Sequence, residues 1–475
     1  MKYKVLLLNP IAFDETAFIR VGRCQTKTQP GIECWPPIDL ALIGSSLKQL
    51  KDLSEIRLYD GQIRQKYQAM LENIAIYAPD IVILNCSTPT FHSDIKLAQQ
   101  IKKLKTHSFI IFFGLHATAR PIEILESSVV DCCIIGEPED AIQSVVEKYI
   151  ETKKPKFNEI NNIAYLSKEG KIKESKITKE NSRIFLSHKP DRSLINNNYY
   201  KLHYNNKPFT IIQTSRGCSN KCIYCTSPVY SSRYSTRSVD SVVQEIEECI
   251  EKHKIFNFMF LSDTFTTDRK WVEDFCNRLI QMGSNISWMS NSRIDKIDYP
   301  LAKIMKMAGC RIVSLGIESA DDNILKKAGK NITNKQIKQA VTDLYRAKIQ
   351  TIGYFMFGLP GESKESMKMS IEFSQSLPLD YAYFYNATPF PGTALYNLAE
   401  KKHWLITHDW RQYTHGEKPL LNYETLSAAE IGKAIRTAYR KFYYRPKRII
   451  KQLLQIHSLK ILSNNIKAAI KLLRK

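Results

Sequence analysis

Twice along this chain, short apolar runs alternate with stretches of helical periodicity, and this alternation restricts the fold more than any other feature. Successive strands joined through helices make right-handed crossovers, so a long series yields a parallel sheet covered by helices. In residues 1–150 the runs KVLLLNP (Lys4 to Pro10), IRLYD (Ile56 to Asp60), DIVILNCST (Asp80 to Thr88), SFIIFFG (Ser108 to Gly114) and VVDCCIIG (Val129 to Gly136) read as buried strands. Leu40 to Leu50, Asp94 to Leu104 and Glu139 to Tyr149 are the expected helices between them. Such sheets bind ligands beyond the carboxyl ends of their strands. STPT (Ser87 to Thr90), GLHAT (Gly114 to Thr118) and GEPE (Gly136 to Glu139) stand there, as ligand-facing groups or as ordinary turn residues.

Residues 151–207 lose the pattern and read as a charged, Asn-rich linker with one hairpin around Glu169 and Gly170. A second series of six strands follows in residues 208–400: Phe209 to Gly217, Phe258 to Asp263, Ile286 to Ser292, Arg311 to Ser319, Gln350 to Pro360 and Tyr381 to Gly392. Ser238 to Glu251, Trp271 to Met282 and Ser366 to Ser376 are among the helices between them. Six units are too few for an eight-unit barrel, so the expected architecture is α/β: a Rossmann-like parallel sheet, then a partial six-unit barrel with its site at strand carboxyl ends. Residues 401–475 read as a helical region, with a helix capped near Thr425 or Ser427.

A chain of 475 residues with 43% hydrophobic and 24% charged content can bury several cores, which excludes disordered and collagenous classes. MKYKVLLLNP lacks a signal-peptide core and no run is long enough for a membrane-spanning helix, so the 11 cysteines are expected in a reducing compartment. The net charge of +22 suits a polyanionic partner or a solvated lysine-rich surface. From Lys447 to Lys475 there are eight basic and no acidic residues interleaved with Ile and Leu. That pattern fits either a helix lying on an anionic membrane face or one packed back on its domain.

RGCSNKCIYCTSP, just past the first strand of the second series, sets Cys218, Cys222 and Cys225 in a CxxxCxxC spacing. Three thiolates in one loop suit an iron-sulfur cluster with one iron left open to a non-protein ligand. Structural zinc needs a fourth ligand, and the chain has no second CxxC pair or HxxxH to supply it. With Tyr224 before its last cysteine, this loop resembles that of the radical S-adenosylmethionine superfamily. The resemblance implies a 4Fe-4S cluster on Cys218, Cys222 and Cys225. It implies S-adenosylmethionine contacts from Tyr224, Asp263, Arg293, Gly316, Glu318 and Ser319 (LGIES), and from Leu359 and Pro360 in GLPGE, with ATPFPG (Ala387 to Gly392) nearby.

The N-terminal series resembles the cobalamin-binding domain of the class B members of that superfamily. By this resemblance Ser87, Thr88, Thr90, Gly114, His116, Gly136 and Glu137 are cobalamin-binding candidates. The DxHxxG of domains that ligate cobalt through histidine is replaced by DGQIRQ, with Gln62 and Gln65 in the His and last Gly places. Neither His116 nor His92 is assigned as a cobalt ligand, and no catalytic acid or base is singled out.

The resemblance implies a cobalamin-dependent radical methyltransferase acting on an unactivated carbon of a small-molecule or lipid substrate, cytoplasmic, with a flavodoxin or ferredoxin as electron donor. A ring-forming or rearranging enzyme of tetrapyrrole or polycyclic-lipid metabolism is the alternative, for which a tail at the inner membrane face would make sense. A tRNA methylthiotransferase, with Cys24, Cys34 and Cys86 as ligands of a second cluster, ranks below both, because the C-terminal end has no β-rich RNA-binding module.

Overall fold

The computed structural model describes residues 2–446 apart from 29–33, 64–65, 153–156, 168, 179, 203–204 and 232. The basic tail, 447–475, and Gln65 lie outside the described residues.

The first sheet has the strand order Leu53–Asp60, Tyr3–Asn9, Ile81–Asn85, Phe109–Phe113, Cys132–Ile134, all parallel, followed by Ile163–Leu166 and Ile172–Glu174, which are antiparallel. Its near-continuous apolar strands are explained by burial on both faces. Val5, Leu7, Ile81 and Ile83 pack on the helices Ile38–Leu47 and Glu139–Thr152, while Leu6, Leu8, Val82 and Leu84 pack on Tyr67–Tyr77 and Phe91–Leu104. The chain order reverses between Tyr3–Asn9 and Ile81–Asn85, so the strand ends at Asn9 and Asn85 form a topological switch point. Within the stretch read as linker, the hairpin adds its two strands to this sheet, and Arg192 pairs with Glu245 of the helix Val239–His253 at 2.7 Å.

The second sheet runs Phe209–Gln213, Asn257–Leu261, Ser287–Ser292, Cys310–Glu318, Gln350–Phe357, Tyr381–Asn386 in sequential parallel order, the expected six-unit partial barrel. Alternation of period two divides its faces. Phe258, Phe260, Trp288, Leu315, Phe355 and Phe384 point to the helices. On the opposite face Phe209, Ile211, Met259, Leu261 and Met289 pack against Val21, Ile38, Tyr200 and Leu202, so residues from the N-terminal half fill the inner side of the first three strands. The last strand is an edge, and the helix Ala428–Tyr443, capped by Ser427, covers it: the hydroxyls of Tyr439 and Tyr443 accept from the backbone N–H groups of Phe384 and Ala382 at 3.2 Å.

The two sheets are joined by a buried polar knot. Arg216 donates to both oxygens of Glu139 at 2.9 and 2.7 Å, with Glu137 at 3.6 Å and Asp39 at 3.8 Å. Asp39 accepts from Gln213 and from the Gly22 N–H, 2.6 Å away. Truncating one partner of such a pair strands the other charge in a low dielectric. Glu139→Ala is therefore expected to lower unfolding stability by about 3 kcal/mol, measured as a shift in the denaturation midpoint. Glu273→Ala, which breaks an exposed helical pair with Arg269, should cost under about 0.5 kcal/mol.

Candidate active site

The cysteine loop leaves the first strand of the second sheet through Ser215–Arg216, which pairs antiparallel with Ser235–Thr236 and pinches the loop at its base. Gly217 is obligatory at the pinch: its φ is +76° and a Cβ there would lie 2.0 Å from the Arg233 carbonyl oxygen. The loop is then stitched to its neighbours, the Ile223 N–H donating to the Ala328 carbonyl at 3.0 Å and the Leu395 N–H to the Ile223 carbonyl at 2.8 Å.

All three cysteines are free and part-buried. Cys218 Sγ accepts from Asn220 Nδ2 at 3.3 Å, and Cys225 Sγ from Arg23 Nη1 at 3.3 Å and the Ser227 N–H at 3.4 Å. Cys222 Sγ lies 3.6 Å from the Gly329 carbonyl; burial pushes its thiol up and Lys330 pulls it back. Donors aimed at two sulfurs are the environment of thiolates, and the loop fits a cluster. Among the described residues no three His, Cys, Asp or Glu side chains converge on a single metal ion.

Around the loop stand five of the residues expected at the S-adenosylmethionine site. Asp263 follows the second strand and accepts from Arg23 and from Ser227 Oγ, the latter at 2.8 Å. Arg293 follows the third and donates to Asp295 at 2.8 Å and the Lys330 carbonyl at 3.0 Å. The fourth strand carries a bulge between Gly316 and Glu318. Glu318 adopts φ +65° there, and its carboxylate returns over Gly316 to meet Lys330 at 3.0 Å. A Cβ at Gly316 would strike both groups, at 2.5 and 2.6 Å. The Tyr224 phenol is buried against Glu318, and burial and that carboxylate push its pKa well up, so the ring edge stays a neutral polar group beside the loop.

The other three expected residues are held in different ways. Ser319 turns outward, its hydroxyl accepting from the Asp321 N–H at 3.2 Å and lying 3.4 Å from Ser370 on the helix Lys364–Ser376. Leu359 packs with Ile223, Tyr224 and Met356, and Pro360 sits in the Gly358–Glu362 turn that Glu362 ties by accepting from the N–H groups of Gly358 and Leu359 at 2.6 and 3.1 Å. Sequence reasoning missed Arg23 and Lys330. Arg23 is 202 residues from Cys225, and no local pattern announces such a pairing.

At the first sheet's strand ends, Ser87 and Thr90 bond to each other at 2.8 Å, and Thr90 donates to Asp94 at 2.7 Å. The Thr88 hydroxyl is buried without a partner beside the switch point, which leaves it suited to a cobalamin group. A Cβ at Gly114 would lie 2.4 Å from Asn85 Oδ1, and Gly136, φ +83°, faces the Tyr230 carbonyl at the end of Ser227–Tyr230, the short helix after the cysteine loop. Glu137 is taken up by Ser231, by the Ser182 N–H at 3.1 Å and by Arg216. His116 is fully buried between Phe91 and Trp410, and burial holds its pKa down to about 3. In the DGQIRQ segment Gln62 is buried, donating to the Trp35 carbonyl at 2.9 Å, while Asp60 accepts from Asn9 at 2.7 Å and Tyr200 at 2.6 Å. Of the cysteines considered for a second cluster, Cys86 is enclosed in apolar core with its thiol pushed far up by burial, and it does not converge with Cys24 and Cys34.

On the inner face of the last two strands Tyr354, Tyr383 and Tyr385 stack at 5.7 to 6.1 Å, with His415 against Tyr385 at 6.1 Å. Burial, with Arg23 nearby, keeps His415 neutral, its pKa drawn down to about 4.

Burial pushes the Glu362 carboxyl up to about 8, against the two backbone N–H groups that favour its charge. The folded chain then keeps a proton that the unfolded chain loses near its ordinary value of 4.5, so this group's stabilisation is complete below that value and lost as pH rises through about 8. Glu362→Gln should flatten the decline of the unfolding midpoint between about pH 5 and pH 8.

Both halves of the chain resemble known proteins. Residues 212–374 match the Radical SAM superfamily and residues 33–146 the B12 binding domain. An uncharacterized methyltransferase of Pyrococcus horikoshii is 31% identical over 439 residues, 89% of this chain and 91% of that protein. An anaerobic magnesium-protoporphyrin IX monomethyl ester cyclase of Cereibacter sphaeroides is 25% identical, over 86% of this chain and 67% of that one. The radical S-adenosylmethionine methyltransferase TsrM of Kitasatospora setae, solved with cobalamin and a [4Fe-4S] cluster, shares the fold at TM-score 0.70 and 16% identity, over 94% of this chain and 90% of that one. The cobalamin-dependent radical enzyme OxsB shares it at TM-score 0.63 and 17% identity, over 93% of this chain and 61% of the longer OxsB. The chain thus belongs to the cobalamin-binding radical S-adenosylmethionine family, and it is a radical S-adenosylmethionine enzyme.

Proposed function

We propose that the protein transfers a methyl group to an unactivated carbon of a small-molecule or lipid substrate. The observation that carries this reading is the docking of the first sheet's strand ends onto the loop of Cys218, Cys222 and Cys225, through Arg23 to Cys225 and Asp263 and through Glu139 to Arg216. When bound, the cluster would cleave S-adenosylmethionine by one electron to give a 5′-deoxyadenosyl radical, and cobalamin would carry the methyl group delivered to the substrate.

The chain's own residues would then fix geometry. Cys218, Cys222 and Cys225 would hold the cluster, Tyr224, Gly316 and Glu318 would orient the nucleoside, and Asp263 and Arg293 would set the charge beside the loop. Ser87, Thr88, Thr90, Gly114, His116, Gly136 and Glu137 remain the cobalamin-side candidates, with Thr88 offering the unspent hydroxyl. The stacked tyrosines would form a wall for substrate and help keep water from the reacting carbon. A reducing cytoplasm and a flavodoxin- or ferredoxin-type donor complete the reading. Among the described residues no helix is long and apolar enough to cross a membrane.

Ring formation or rearrangement is the second reading, favoured by the 25% identity to the cyclase of Cereibacter sphaeroides. The two part on product stoichiometry. With methyl-labelled S-adenosylmethionine, cobalamin, a low-potential reductant and substrate, methyl transfer should yield labelled product with 5′-deoxyadenosine and S-adenosylhomocysteine in equal amounts. Ring formation would yield 5′-deoxyadenosine with neither label in the product nor S-adenosylhomocysteine. Cys222→Ala should abolish 5′-deoxyadenosine formation in both cases.

A further inference from the structure

Arg23 lies in the turn of a small antiparallel hairpin, Phe18–Ile19 with Thr26–Lys27, between the first strand and the first helix of the N-terminal half, yet its guanidinium reaches the cysteine loop of the other half. Both flanks of that turn are anchored. Arg20, fully buried, grips Asp94 at 3.0 and 2.8 Å and the carbonyls of Asn85 and Pro10 at 2.7 and 3.1 Å. The Gly22 N–H is held by Asp39 at 2.6 Å, and the Cys24 N–H closes the turn on the Val21 carbonyl at 3.0 Å. The partner at the far side is fixed as well, since Asp263 accepts from Ser227 Oγ at 2.8 Å. Arg23 is thus delivered to Cys225 Sγ, 3.3 Å from Nη1, by a rigid arm.

A cluster sulfur that accepts an N–H hydrogen bond beside a positive charge stabilises the more negative, reduced state, because hydrogen bonds and local charge set cluster potential. We propose that Arg23 is a positioning residue through which the cobalamin-binding half raises the reduction potential of the cluster on the barrel, with Asp263 as the counter-charge that limits the rise. The inference rests on the cluster assignment above. One electron from a flavodoxin- or ferredoxin-class donor enters the cluster; no bond at Arg23 forms or breaks, and its proton stays in place.

The test is the midpoint potential of the anaerobically reconstituted full-length protein, followed by electron paramagnetic resonance during dithionite titration, with iron content determined on each sample. Arg23→Met removes donor and charge and should shift the midpoint to more negative potential. Asp263→Asn keeps an oxygen acceptor for Arg23, turns an amide N–H to the Ser227 hydroxyl in place of the second oxygen, and removes the opposing charge, so it should shift the midpoint to more positive potential. Opposite shifts at unchanged iron content support the proposal, since mere loosening of the loop would move both variants the same way. Unchanged midpoints, or shifts of one sign, overturn it. If Arg23→Met does not take up iron, Asp263→Asn decides alone: a positive shift supports, and no shift or a negative one overturns. A wild-type protein that loads no cluster would sink the cluster assignment itself, whereas a loaded wild type indifferent to both substitutions would sink only the role of Arg23.

Discussion

One buried arginine sits where the two halves of the molecule and the cysteine loop meet. Arg216 precedes the pinch at Gly217 and is gripped by Glu139, with Glu137 and Asp39 close behind, so the stem of the loop is fixed by carboxylates of the opposite domain. A guanidinium in a low-dielectric interior is tolerable only if it is paired and hydrogen-bonded, and its planar fork ties two oxygens in one orientation. Position of the cysteines, closure of the interface and use of Glu137 all follow from that requirement. The knot also draws in Glu137, a strand-end carboxylate that Ser231 and the Ser182 N–H hold from the other side.

Much of the architecture was legible because its periodicity is strong. Runs such as DIVILNCST and SFIIFFG can only be buried on both faces, and they became Ile81–Asn85 and Phe109–Phe113 with helices on each side. Strand lengths were less legible: Tyr381 to Gly392 was expected, but pairing stops at Asn386, before the prolines at 389 and 391. The hairpin of Ile163–Leu166 and Ile172–Glu174 was readable as a hairpin; its partner, Cys132–Ile134, was not, because charged local sequence hides a long-range pairing.

The site divides the same way. The cysteine spacing and LGIES are local patterns, and their backbone demands, a pinch at Gly217 and a bulge over Gly316, are met by small residues at those places. Arg23 and Lys330 carry no local signature; their roles arise from elements brought together only in the folded chain. Hydroxyls gave the opposite difficulty. Ser87, Thr88 and Thr90 look alike in sequence, but two satisfy each other and one is left over. Composition cannot distinguish a spent donor from a free one.

Independent loading of the two cofactors is what a cluster loop and a cobalamin-binding sheet built into one chain should show. Its most direct measurement is iron, sulfide and cobalt per chain after anaerobic reconstitution with cobalamin, for the wild type and for a variant with Cys218, Cys222 and Cys225 all changed to Ala. About four irons and about one cobalt in the wild type, with only the cobalt kept in the variant, are predicted. Iron without cobalt in the wild type, with cobalamin supplied, would show that the first sheet does not hold cobalamin.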